Sequence, residues 1–187
     1  IVFGDWSSDV CSSDLPSDLD GMAVPPAGSP NYFAEWDDST WIAPQDALRV
    51  WEFDVDWVTP ANTTFGANAS FAPNYIIATT EVNPEVCAGF ARSCIPQPGT
   101  TAKLDAISDR LMFRLAYRNF GSHEALVGNH TVDAGSDQAA VHWFELRDSG
   151  SGWGMHQEGV YSPDASHRWM GSIDRKSTRL NSSHRIR

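Results

Sequence analysis

Apolar and polar residues alternate along much of this chain, and the alternation predicts strands. The clearest case is Leu48 to Trp57, LRVWEFDVDW, where Trp51, Phe53, Val55 and Trp57 fall on one face and Glu52, Asp54 and Asp56 on the other. Thr59-Pro60-Ala61-Asn62 ends it as a turn, and Asn74 to Thr80, NYIIATT, predicts a second strand behind Pro73. From Arg110 onward the pattern becomes regular. Arg110 to Asn119 places Leu111, Phe113, Leu115 and Tyr117 on one face, and Phe120 to His123 turns the chain. Glu124 to Val132 runs back, Ala139 to Arg147 is a third strand after the turn at Asp133 to Asp137, and Gly154 to Tyr161 is a fourth after the Gly/Ser turn at Asp148 to Gly152. Lys103 to Phe120 can also be fitted to a 3.6-residue period, but its Phe, Tyr and flanking turn residues favour strand. The expectation is an all-β fold of antiparallel four-stranded meanders. Residues 20–47, which begin DGMAVPPAGSP, are expected to be a loop or connection.

The two ends change the arithmetic. Residues 5–15, DWSSDVCSSDL, and 174–184, DRKSTRLNSSH, look like one sequencing adapter translated from opposite DNA strands. Residues 1–19 and 174–187 are therefore expected to be adapter-derived or unreliable tails, outside the fold. Setting them aside removes five of the 24 acids and five of the 13 bases, so the net charge stays at −11. An acidic chain of this kind argues against nucleic acid, which needs a basic face to release counterions. No apolar run is long enough to span a bilayer, and eight Trp and nine Phe carry too much apolar surface for a disordered chain. With Cys11 set aside, Cys87 and Cys94 remain as a pair in a Pro- and Gly-containing loop. They predict a disulfide and hence an oxidising, extracellular or cell-envelope compartment.

The stretch from CIPQPG to RWMGSI carries a resemblance. Arg118-Asn119-Phe120-Gly121, His123-Glu124, Asn129-His130-Thr131-Val132, Trp143 to Arg147 (WFELR) and Arg168 to Ile173 (RWMGSI) occur in the order seen in a group of uncharacterised secreted bacterial proteins with a β-propeller-like core. The chain resembles that group over roughly Leu48 to Ile173. The resemblance implies an internal fragment of about two blades over 48–173, with the remaining blades of the full-length chain as its partners, and it assigns no activity. Asp148-Ser149-Gly150-Ser151-Gly152-Trp153 is similar to the Asp-box of sialidase-type propellers, with Leu146 where that motif has Ser or Thr.

Candidate chemistry is sparse. His123-Glu124 with His130 lacks the spacing of a zinc-protease helix, and there is no nucleophile-elbow or phosphate-loop pattern. No catalytic residue and no cofactor is predicted. Trp36 and Trp41, with Asp37 and Asp38 between them, are the candidate glycan contacts, whereas Trp51 and Trp57 are expected in the core. Glu52, Asp54 and Asp56 could hold calcium, or simply be a solvated acidic edge. A regular hairpin would bring His142 near His156 or Gln157, where two imidazoles could share a metal; solvated histidines are the simpler expectation. Arg118, His123, Glu124, Asn129, His130, Glu145, Arg147 and Arg168 are expected to form a structural polar network between strands. The reading favoured is a binding or scaffold module that takes an extracellular glycan or protein. The alternative is a glycan-active propeller enzyme with acids from Glu35, Asp37, Asp38 or the Glu52 to Asp56 row.

Overall fold

The computed structural model describes residues 15–39, 44–88 and 91–175. The chain runs through β1 (Leu15–Leu19), β2 (Asn31–Asp37), β3 (Ala47–Asp54), β4 (Thr64–Phe65), β5 (Tyr75–Ala78), β6 (Ser93–Pro96), β7 (Lys103–Asp105), β8 (Leu111–Asn119), β9 (Glu124–Asp133), β10 (Ala139–Asp148) and β11 (Gly154–Tyr161). The all-β expectation holds, and β8 to β11 form the predicted meander, each strand hydrogen-bonded to the next. Lys103 to Phe120 is strand and turn, not helix.

Two segments depart from the expectation. The 20–47 connection contains β2, whose Tyr32, Ala34 and Trp36 alternate into the interior. Leu15–Leu19, within the tail set aside from the fold, is β1; residues 1–14 and 176–187 lie outside the described residues.

Among the described residues, nine strands make one sheet in the order β11-β10-β9-β8-β1-β2-β3-β4, with β5 also paired to β3. β1 is antiparallel to β2 and parallel to β8, so it joins the two halves of the sheet. The sheet curls into a half-barrel, an arrangement compatible with a propeller fragment. The curl brings the outer strand β11 back towards β5, where the Thr80 backbone N–H and hydroxyl each donate to Glu158 Oε1 at 2.9 Å.

The interior is filled by Leu48, Val50, Leu115, Leu126, Phe144 and Leu146, all but excluded from solvent. Burying a side chain as large as Phe144 contributes about 1.5–3 kcal/mol. Phe144 fits because its cross-strand partner is Gly128; a Cβ there would stand 2.6 Å from the ring. A second, smaller core of Val86, Cys87, Ile95, Ala106 and Ala139 lies under the β6–β7 hairpin with Trp169 against it, and the predicted Cys87–Cys94 disulfide staples it.

β3 stops at Asp54, three residues short of the predicted end, and the cause is local. Asp56 Oδ1 accepts the N–H groups of Val58 (2.9 Å) and Thr59 (2.7 Å), and its Oδ2 accepts Asn62 Nδ2 (3.1 Å). A side chain that satisfies its own turn competes with the ladder, and here it wins. Trp57 consequently leaves the sheet and is 87% exposed, contrary to its expected core position. Trp51 is buried, but on the convex side: its indole N–H donates to the Phe71 carbonyl at 2.7 Å and its ring stacks on Phe65.

Candidate functional site

The interior has a hydrophobic middle and two polar ends. At one end β2 contributes Tyr32, β8 Tyr117, and the β10–β11 turn Trp153. The Tyr32 ring lies 4.9 Å from Trp153, edge-on, and 5.9 Å from Tyr117, stacked. Tyr117 donates its hydroxyl to Glu124 Oε1, and Tyr75 donates its hydroxyl to Glu52 Oε1 at 3.1 Å, while Asn74 Nδ2 donates to Glu52 Oε2 at 3.2 Å. Burial and the neighbouring carboxylates disfavour the phenolates: Tyr75 is pushed up to about 12, and Tyr32 and Tyr117 are raised further still. All three are neutral at physiological pH, and Tyr75 and Tyr117 donate to carboxylates. Glu52, Tyr75 and Glu124 are half-exposed, so this end is a mouth with a floor of buried aromatic rings.

The turn that carries Trp153 is built around one carboxylate. Asp148 Oδ1 accepts from the N–H groups of Gly150 (2.6 Å), Ser151 (3.0 Å) and Gly152 (3.0 Å). Gly152 has φ +97° and packs against Tyr75; a Cβ there would be 3.0 Å from the ring.

At the opposite end, His130 on β9 and His142 on β10 stand directly across from one another in the ladder. His130 Nε2 is 2.8 Å from His142 Nδ1, and His142 Nε2 is 3.1 Å from Glu158 Oε2. With Glu158 ionised, His142 donates from Nε2 and accepts at Nδ1, so His130 donates from Nε2 and keeps its lone pair on Nδ1. That Nδ1 is buried with only the Thr131 backbone as a polar neighbour, and the Trp36 ring lies over the imidazole at 4.3 Å. Burial drives His130 well below the usual histidine range, and the adjacent His142 adds to it; burial also lowers His142, against the opposing pull of Glu158. Both rings are neutral at pH 7. Asp46 ties this end together, accepting Ser39 N–H at 2.9 Å and Val82 N–H at 2.8 Å.

The structure rearranges the sequence-predicted candidates. Trp36, Asp37 and Asp38 are buried, and Asp37 ion-pairs with Arg49. They are therefore no exposed glycan platform: the alternation of β2 points the Trp36 ring into the barrel. Trp41 lies outside the described residues. Glu52, Asp54 and Asp56 do not converge on a cation, since Glu52 is held at the mouth, Asp54 is exposed and Asp56 caps its own turn. No group of three His, Cys, Asp or Glu among the described residues is arranged to hold a metal. His142 faces Val160 on β11, not His156 or Gln157, because the β10–β11 turn is longer than a regular hairpin and a bulge follows Glu145.

The polar residues of the motifs fall into separate places. Glu124 is at the mouth and His130 inside. On the convex face Glu145, buried, accepts from Arg147 Nε (2.7 Å), Gln157 Nε2 (2.6 Å) and Arg175, and these donors hold its carboxyl below the usual range against the effect of burial. Arg118 lies 3.6 Å from Asp20 and over the Phe120 ring. His123 stacks on Phe120 and hydrogen-bonds Ser122. Asn129 is buried beneath Gly171, whose Cβ position is 2.7 Å from Asn129 Oδ1. Arg168 grips Asp164 with two nitrogens, at 2.9 and 2.8 Å.

Sequence reasoning missed Tyr32, Tyr75, Tyr117 and Trp153 as one cluster, and the pairing of His142 with His130. A signal for the histidines was present: each occupies the apolar parity of its strand, with Leu126 and Val132 on β9 and with Phe144 and Leu146 on β10. No protein family, curated protein or solved structure was found to match the chain.

Proposed function

We propose that the chain is part of a secreted bacterial β-propeller-like protein, extracellular or held at the cell envelope, and that it works as a binding or scaffold module. The observation that carries this reading is the mouth. Its aromatic floor is fixed by ring-on-ring packing, and its carboxylates are held by tyrosine hydroxyls and an asparagine amide, so donors and acceptors are positioned before any ligand arrives. A glycan or polar peptide is the ligand such a surface suits, since the half-exposed Glu52, Tyr75 and Glu124 offer it a carboxylate, a phenol and a second carboxylate at fixed positions above the buried rings. The disulfide supports an oxidising compartment, and no helix among the described residues is long and apolar enough to cross a membrane.

One observation favours the glycan-active alternative. Glu52 lies opposite Tyr32 in the β2–β3 ladder and Glu124 accepts from Tyr117, whose ring stacks on Tyr32, so one mouth presents two carboxylates, which is the minimum that glycoside hydrolysis requires. A glycan array and a hydrolase panel on the complete gene product separate the two. Binding without turnover, weakened by Glu52→Gln or Glu124→Gln, supports the module. Turnover abolished by either substitution overturns it in favour of the enzyme. Binding that neither substitution changes removes the mouth from the reading.

A further inference from the structure

The charges at the mouth are unbalanced. Every described arginine is ion-paired with an acid, and none of those pairs includes Glu52 or Glu124. Among the described residues Glu52 meets the neutral donors Tyr75 and Asn74, and Glu124 meets Tyr117. The sheet order carries Glu124, Tyr117, Tyr32 and Glu52 on β9, β8, β2 and β3, so the two carboxylates flank the stacked tyrosine rings. Buried rings beneath a half-exposed carboxylate lower the local dielectric, and a cation is drawn to it more strongly than in open water. The chain as a whole, at net charge −11, adds to that pull.

Tyr32 supplies what a pair of acids lacks. It is 5% exposed, and its hydroxyl, unlike those of Tyr75 and Tyr117, donates to no acceptor among the described residues. The buried Trp153 indole N–H bears on the same phenol oxygen and closes no full hydrogen bond elsewhere. With its oxygen facing a donor, Tyr32 has its proton left to give. Burial and the two carboxylates keep that proton in place. A buried donor with nothing to bond is costly, and an oxygen from a ligand would complete it.

On the reading that the mouth is the binding surface, we infer that its ligand is an oligosaccharide of amino sugars with free amines: ammonium groups meet Glu52 and Glu124, and a hydroxyl between them accepts from Tyr32. A cation alone would satisfy the acids and leave Tyr32 unbonded; a neutral sugar would satisfy Tyr32 and leave the acids unbalanced. An amino sugar carries both groups on neighbouring carbons. A lysine side chain sets its ammonium at the end of an apolar stem, with no oxygen beside it to take the Tyr32 proton. Donors and acceptors fixed in advance lower the ordering cost of binding.

The test titrates the full chain by calorimetry with a glucosamine tetrasaccharide, its N-acetylated counterpart and a tetralysine peptide, at a pH where the amines carry their protons. Expected is binding of the glucosamine oligomer about ten-fold tighter than its acetylated counterpart, since acetylation removes the charge. That preference should shrink with added salt. Glu52→Gln and Glu124→Gln should each move it towards equality; both keep an acceptor oxygen for the phenols, and near-UV circular dichroism checks that the aromatic floor is intact. Tyr32→Phe should weaken both sugars and leave the preference between them. The inference is overturned by equal affinity for the two sugars, by tetralysine binding as tightly as the amino sugar, or by no binding at all. Preference for the acetylated sugar, with binding still weakened by the substitutions at Glu52 and Glu124, overturns the amine and keeps the mouth. Binding that no substitution changes removes mouth and amine together.

Discussion

Acidification should destabilise this protein in a window set by two buried histidines. His130 and His142 are neutral in the folded barrel, and burial holds both below the ordinary histidine range. Unfolded, each takes up a proton near pH 6.5. The sign follows from proton uptake: below that value the unfolded chain binds more protons than the folded one, so stability falls as pH falls. Stability from this source is present above about pH 6.5 and is lost as pH drops towards the lowered folded values. Between about pH 7.5 and about pH 5.5, a histidine that stays neutral when folded costs about 1.4 kcal/mol, so the pair costs roughly 1.4–2.7 kcal/mol, the lower figure applying if Glu158 keeps His142 protonatable. For a chain of this size that is a fall in Tm of roughly 3–10 °C. Carboxylates titrate near pH 4 when unfolded, and those held at or below that value in the fold do not contribute in this window; Asp174, raised by its hydrogen bond with Asp20, acts in the opposite direction and is replaced by Asn in the series. His123 contributes as the pair does, since burial lowers it too, and the series is therefore run in a His123→Gln background. Thermal unfolding followed by near-UV circular dichroism at both pH values gives the slope, and His142→Gln should remove up to half of it. Equal stability at the two pH values would refute the neutral pair; so would an unchanged slope in a double His130→Gln, His142→Gln variant.

Three further outcomes are expected. Reducing the Cys87–Cys94 bond, which closes a short loop of sequence separation 7, should lower stability by about 2–3 kcal/mol, read as a shift in urea midpoint with and without reductant. Gly128→Ala should cost about 1–3 kcal/mol through overpacking against the Phe144 ring, and Phe144→Leu in the same chain should relieve part of that cost in a double-mutant cycle. Asp148→Ala removes the acceptor of three backbone N–H groups and should cost about 1–3 kcal/mol, with a change in Trp153 fluorescence emission; Asp148→Asn, which keeps an acceptor oxygen, should lose less.

Alternation alone determined that this protein is all-β. It placed the β8 to β11 meander to within a residue or so at each end, because half-buried strands must repeat with period two and turn residues must separate them. The disulfide, too, was legible from two cysteines in one loop. What alternation cannot give is which face is inside. Trp36 and Trp57 look alike as tryptophans beside acids, yet one is sealed over His130 and the other stands in water, because β2 continues where Asp56 ends β3. The mouth and the histidine pair belong to the tertiary structure. Tyr32 and Tyr117 stand on β2 and β8, two strands apart in the sheet, and meet across β1 on the concave face, and Glu158 reaches Thr80 only because the sheet curls back on itself. Pairings between residues far apart in the chain depend on sheet order and curvature, and neither is written in the local pattern that names the strands.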